Sequence, residues 1–178
     1  KKIILKSLME TGDPAGIDFK LHDFGFRGVS SVESAGNGGA AHLTQFSGTD
    51  TVAGLVVARD YYGAECAGFS IPASEHSTMT AWGKEGEFAA YKNMLKQYQK
   101  GLVACVSDSY DIYHAAGEIW GKQLKELVLQ RDGQLVIRPD SGYPPAVDLK
   151  LLEILGKSFG YTINEKGFFD RYSLTNED

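Results

Sequence analysis

The run Leu102-Val103-Ala104-Cys105-Val106 is apolar at every position. A strand with one wet face alternates, so an unbroken run of this length describes a strand covered on both faces, as in a parallel sheet sandwiched by helices. Parallel neighbours need a long crossover between them, and the sequence supplies one each time. Five times a short apolar segment leads into a polar motif and then into a helical pattern. Phe19 to Phe24 leads through Gly25 to Gly28 to a helix started near Ser30. His42 to Phe46 leads through Ser47-Gly48-Thr49-Asp50 to the apolar positions Val52, Leu55 and Val56. Ala67 to Ile71 stops at Pro72 and meets Glu75-His76-Ser77-Thr78. Leu102 to Val106 meets Ser107-Asp108-Ser109-Tyr110-Asp111. Gln134 to Ile137 delivers Arg138-Pro139-Asp140-Ser141-Gly142 and a helix from about Ala146 to Lys157. Five strand, motif and helix units predict an α/β chain with mostly parallel strands, part of a (β/α) barrel and too few units to close one.

Local chemistry sets expectations for the joints. Ser30 and Glu33 have capping-box spacing, and Asp50 occupies the place of a helix N-cap. Either Asp108 or Ser109 caps the helix after the fourth strand, with Asp111 in its first turn. Gly36, Gly38 and Gly39 mark either a close backbone approach or a poorly formed helix, and the second reading is preferred. Phe88, Tyr91, Met94, Leu95 and Tyr98 recur at helical spacing as core packing, and so do Ile112, Ala116, Ile119, Trp120, Gln123 and Leu127.

With 178 residues and 43% hydrophobic residues, the chain has enough apolar surface for one core. Its 18 Lys plus Arg against 23 Asp plus Glu give a net charge of -5 and no dense basic block, which argues against nucleic acid as a partner. Two cysteines, Cys66 and Cys105, make neither a disulfide framework nor zinc-ligand spacing, so a reducing, cytoplasmic setting is expected. No apolar run is long enough to span a bilayer. The sequence starts at Lys1, so an earlier N-terminus is expected.

Polar side chains recur at the ends of the apolar runs. In Lys20 to Ser30, Gly25 and Gly28 flank an arginine, Arg27, suited to an anion, and Phe24 offers a flat ring. His22 and Asp23 are read as holding that loop's shape. Arg138 joins Arg27 as an anion group, while Asp108 and Asp140 suit hydroxyls or Mg²⁺. His76 is either a structural histidine at a helix start or a proton- or phosphate-handling group. Together these residue types suit a phosphorylated sugar and an aromatic base. Neither a Gly-x-x-x-x-Gly-Lys loop nor a Gly-x-Gly-x-x-Gly turn is present, so a Walker-type hydrolase and a Rossmann dehydrogenase are unsupported.

Taken together, His-Asp-Phe-Gly-Phe-Arg-Gly (22 to 28), Gly-Thr-Asp-Thr-Val-Ala-Gly (48 to 54), Glu-His-Ser-Thr (75 to 78), Ser-Asp-Ser-Tyr-Asp-Ile-Tyr (107 to 113) and Arg-Pro-Asp-Ser-Gly (138 to 142) resemble the nicotinamide phosphoribosyltransferases of the type II phosphoribosyltransferase family. The resemblance runs from about Lys1 to Lys166 and leaves 167–178 as a divergent tail. It implies a partial catalytic domain that joins nicotinamide to phosphoribosyl pyrophosphate, with Mg²⁺ and with ATP as a coupled activator, in an enzyme that is a homodimer at full length. By position it implies Phe24 stacked on the pyridine ring, Arg138 against its other side or near the ribose, and Asp50 accepting from the carboxamide. Ser70 would bond the amide oxygen, Arg27 a phosphate and Asp140 the ribose hydroxyls. His76 would be the phosphorylated histidine, with Asp108 fixing its tautomer. No protein ligand to a metal is implied. The alternatives are a non-catalytic binding or interaction module of the same family, or a nicotinate-using relative.

Overall fold

The computed structural model describes residues 1–171 of the chain. It has mixed helix and strand, as expected, with two short parallel strand pairs and a third two-stranded pair; among the described residues these do not close into a barrel. The described residues divide into two compact units, 1–70 with 163–168, and 71–162 with 169–171.

The first unit holds α1 (Lys2–Thr11), β1 (His22–Asp23), α2 (Val32–Leu43), β2 (Gly48–Thr49) and α3 (Val52–Tyr62). β1 runs parallel to β2, with His22 opposite Gly48 and Asp23 opposite Thr49, and Gly48 bridges in parallel to Phe69. The first strand is shorter than its apolar run, because Ile17–Phe19 coils into a 3₁₀ turn. α2 is capped one residue later than the Ser30 spacing suggested: the Ser31 hydroxyl accepts from the Ser34 N–H at 3.0 Å. Two of its glycines, Gly36 and Gly39, mark close approach, not weakness. A Cβ on Gly39 would lie 2.9 Å from the Gly54 Cα, and one on Gly54 would lie 2.7 Å from the Gly39 carbonyl carbon, so α2 and α3 pack backbone against backbone. Gly54→Ala gains about 1 kcal/mol of helix propensity but over-packs a backbone contact at a cost of about 1–3 kcal/mol or more. We expect net destabilisation in urea titrations. Gly38→Ala, in a helix position with nothing within 4 Å, is expected to stabilise.

The second unit holds α4 (His76–Thr80), α5 (Glu87–Gln97), β3 (Val103–Val106), α6 (Ile112–His114), a π-helix over Ala115–Gln123, α7 (Lys125–Leu129), β4 (Leu135–Arg138) and α8 (Pro144–Phe159). β5 (Tyr161–Ile163) then pairs with β6 (Phe169–Arg171). All four residues of β3 are buried, as its unbroken apolar run requires. It pairs in parallel with β4 from Val103 opposite Leu135 to Val106 opposite Arg138, and Ala73 bridges to Ala104 on its other side. Over it pack Tyr91, Leu95, Ile119, Trp120 and Leu124. Burying each such side chain contributes about 1.5–3 kcal/mol.

Two joints differ from the sequence reading. The cap of α6 is Asp111, whose carboxylate accepts from the N–H groups of Tyr113 and His114 at 2.9 and 3.0 Å, which leaves Asp108 for other work. The following helix widens to i→i+5 bonds, as from Leu124 N–H to Ile119 C=O at 2.8 Å. The wider turn shifts the buried face, so Leu124 is buried where a 3.6-residue repeat placed Gln123.

Candidate functional site

In the first unit the polar side chains gather where β1 and β2 end. Asp23 shapes the loop as expected, its Oδ1 accepting from the Gly25 N–H at 3.0 Å, and Phe26–Gly28 closes as a 3₁₀ turn. Phe24 presents about half its surface, with its ring 6.0 Å from that of His22, and Arg27 is exposed. Asp50 is not the N-cap of α3. Thr51 takes that place, without a side-chain bond, and the Asp50 carboxylate turns to His22 Nε2 at 3.0 Å and to the Ser70 hydroxyl, which donates to its other oxygen. The Asp50 N–H anchors the residue to the Asp23 carbonyl at 2.6 Å. His22 therefore does more than shape the loop: it grips Asp50. Gly48 makes room for it, since a Cβ there would sit 2.7 Å from the His22 Nδ1. The hydroxyl proton that the resemblance assigned to an amide oxygen is here donated by Ser70 to Asp50.

In the second unit Asp108 is the hub. Its side chain is 4% exposed, and one oxygen meets His76 Nε2 at 2.8 Å. The other accepts from the Ser141 hydroxyl at 2.6 Å and from the Asp140 N–H at 3.0 Å. His76 opens α4 behind the N-cap Glu75, which forms a capping box with Thr78. The Nδ1 of His76 faces two carboxylates, Glu75 at 3.4 Å and Asp140 at 3.7 Å. Arg138, at the end of β4, pairs with Asp140 at 3.2 Å and reaches the Ser74 carbonyl at 3.5 Å.

Burial pushes the Asp108 carboxyl up, but the bonds from Ser141, His76 and the Asp140 N–H outweigh it and hold the group below its ordinary value of 3.8. A carboxyl depressed in the fold stabilises it in full above the unfolded value, and that stability is lost as pH falls through the folded value. The difference in melting temperature between the parent and Asp108→Asn is therefore expected to be constant near neutrality and to shrink below about pH 4. A difference that grows on acidification would contradict this.

Behind Asp108, Ser107 is fully buried. Its N–H donates to the Arg138 carbonyl at 3.0 Å, and its hydroxyl donates to the Cys105 carbonyl and accepts from Trp120 Nε1, both at 3.0 Å. The Ser109 hydroxyl is buried without a protein partner among the described residues. Those residues contain no group of three His, Cys, Asp or Glu side chains able to cage a metal. No helix among them is long and apolar enough to cross a membrane.

The structure thus brings His76, Asp108, Asp140 and Arg138 together in the second unit, and Phe24, Arg27, Asp50 and Ser70 around β1 and β2 in the first. The sequence did not reveal the grip of His22 on Asp50 or of Ser141 on Asp108. Ser141 lies within Arg-Pro-Asp-Ser-Gly, whose turn composition was its only signal.

Each unit thus ends a parallel strand pair in a cluster that contains a His-Asp pair, as strand ends of α/β proteins commonly carry the polar side chains. Residues 19–175 match the nicotinate phosphoribosyltransferase (NAPRTase) family, and the chain belongs to it. It is 52% identical over 172 residues to a nicotinamide phosphoribosyltransferase of Xanthomonas campestris pv. campestris, covering 94% of this chain and 37% of that protein. Over 163 residues it is 40% identical to the enzyme of that name from Mycoplasma pneumoniae, covering 84% and 34%. To that of Acinetobacter baylyi it is 34% identical over 153 residues, covering 81% and 30%. The chain spans about a third of the length of these curated relatives.

Proposed function

We propose that the protein carrying this chain, at the length of its relatives, joins nicotinamide to phosphoribosyl pyrophosphate to give nicotinamide mononucleotide and pyrophosphate in NAD salvage. The observation that carries this reading is the Asp50 carboxylate, held by His22 and Ser70 in the same strand-end cluster as Phe24. An oriented carboxylate accepts from the carboxamide NH₂ and repels the carboxylate of nicotinate, so the same group attracts one base and rejects the other. Phe24 stacks on the pyridine ring. The relatives named nicotinamide phosphoribosyltransferase support the same choice.

In the reaction the pyridine nitrogen bonds to C1′ of the sugar while the C1′–O bond breaks and pyrophosphate leaves with its electron pair. Positive charge grows on the sugar and negative charge on the leaving group, so fixed arginines stabilise the transition state more than the ground state. Arg27 takes that role toward phosphate. Arg138, aligned by Asp140, lies beside the carboxylate that holds the ribose hydroxyls. Mg²⁺, where it takes part, would be held by the phosphates of the substrate with at most the Asp140 or Asp108 carboxylate, and would supply charge neutralisation on the leaving pyrophosphate.

His76 accepts a phosphoryl group from ATP. Its Nε2 is tied to an anionic Asp108, which leaves the lone pair at Nδ1 to attack the γ-phosphorus as the bond to ADP breaks. Glu75 and Asp140 stand against the new charge and favour its hydrolysis. His76→Ala is expected to retain nicotinamide binding and to lose the rate increase with ATP. An unchanged ATP effect in steady-state assays would remove His76 from this role.

The full protein works as a homodimer in the cytoplasm, a compartment that suits the free thiols Cys66 and Cys105. The decisive assay supplies purified full-length protein with nicotinamide, phosphoribosyl pyrophosphate and Mg²⁺ and follows product by mass spectrometry. Product formation supports the proposal. Preference for nicotinate identifies the nicotinate-using relative instead, and saturable nicotinamide binding without turnover identifies a binding module.

A further inference from the structure

We infer that Ser141 is a positioning residue: by holding one oxygen of Asp108, it leaves the other to fix the proton of His76 on Nε2. The geometry is specific. Asp108 Oδ2 is occupied by two donors from the loop after β4, the Ser141 hydroxyl at 2.6 Å and the Asp140 N–H at 3.0 Å, so Oδ1 alone is presented to His76, at 2.8 Å. The two donors together hold the carboxylate against rotation about its Cβ–Cγ bond, and without the shorter of them the buried group loosens with no water to compensate.

The charged groups around the imidazole explain why such an anchor matters. Asp108 faces Nε2, while Glu75 and Asp140 face Nδ1, and Arg138 balances Asp140. Carboxylates on both sides compete for the single proton of the neutral ring. The side that wins is the one whose acceptor is held in line, and only Asp108 lies within hydrogen-bond distance. Ser141 also belongs to the loop that carries Arg138 and Asp140, so one hydroxyl joins the histidine to the loop assigned to the sugar.

The tautomer does not depend on the proposed reaction; its use does, through the reading of His76 as phosphoryl acceptor. The test is ¹⁵N NMR of the ring nitrogens of His76 in the full chain, recorded on the neutral side of its titration, for the parent, Ser141→Ala and Ser141→Thr. Ser141 is an exposed residue, so neither change threatens the core. In the parent, Nε2 is expected at the protonated extreme and Nδ1 at the unprotonated one. Ser141→Ala is expected to reduce the preference for Nε2–H roughly tenfold, the worth of one charge-assisted hydrogen bond, drawing the two shifts together. Ser141→Thr, which keeps the hydroxyl, is expected to restore the parent spectrum. Unchanged shifts in Ser141→Ala would overturn the inference, and so would equal shifts in the alanine and threonine variants.

In the full-length enzyme the same alanine variant is expected to slow phosphoryl uptake from ATP about tenfold with nicotinamide KM unchanged. A parent protein that takes no phosphoryl group would defeat the functional reading and leave the tautomer result standing. A parent that is phosphorylated, alongside an alanine variant equally fast, would defeat the role of Ser141.

Discussion

Asp50→Asn is expected to lower kcat/KM for nicotinamide about 10- to 100-fold and to raise that for nicotinate by a similar factor. The first number follows from losing a hydrogen bond to a charged acceptor, about 1.5–3 kcal/mol. The second follows from removing a repulsion between carboxylates of the same order. Discrimination between the two bases would therefore fall by roughly 100- to 10,000-fold, since the two effects enter the ratio together. Asparagine keeps the shape of the side chain, and Asp50 is nearly half exposed, so the fold should tolerate the change. Its carbonyl oxygen still accepts from the Ser70 hydroxyl, while its NH₂ takes the place of the oxygen that faces His22 Nε2 and donates there when that nitrogen carries no proton. Competition assays with both bases in the full-length protein would read the ratio directly. A ratio that does not move would mean that Asp50 does not read the amide.

Asp50 also shows where the sequence stopped being legible. Asp before an apolar helical pattern is a helix cap by local rules, and the sequence reading placed it there. Its carboxylate is diverted by His22 and Ser70, residues 28 and 20 positions away in the chain, and no local rule sees such partners. The same holds at Asp108, whose partners are 32 and 33 residues distant. What could be read was what repeats at short range. The continuous run at Val103–Val106, the stripe with Tyr91 and Leu95, and the polar clusters at strand ends are all statements about periodicity, and the fold follows them. The close approach at Gly36 and Gly39 is invisible to local rules because their neighbours, Val57 and Gly54, belong to the next helix. The π-helix was missed because a one-residue shift in turn width leaves the apolar composition unchanged. Parallel pairing of strands was legible; of the side-chain contacts at the strand ends, the one between His76 and Asp108 was expected, and that through resemblance to a family.

Trp120→Ala is expected to be the most destabilising single change in the second unit, at about 3–5 kcal/mol. The indole is fully buried, stacks on Tyr91 with ring centroids 4.5 Å apart, and donates to the Ser107 hydroxyl at 3.0 Å. A loss of this size is a large part of the total stability of a typical domain, so urea unfolding should show a much lower midpoint with little change in slope. Trp120→Phe separates the two contributions. Phenylalanine retains the ring contact with Tyr91 but has no N–H, and should cost less, the smaller cavity plus about 1 kcal/mol for the hydrogen bond. The difference bears on the site because Ser107 precedes Asp108 in the chain and its N–H ties the end of β3 to the Arg138 carbonyl at 3.0 Å. That backbone tie survives in both variants, and the Ser107 hydroxyl still has the Cys105 carbonyl as acceptor. Trp120→Phe should therefore lower stability while leaving the His76 ring shifts unchanged. If those shifts move as far as they do in Ser141→Ala, the packing behind the strand, and not the loop hydroxyl, holds Asp108 in place.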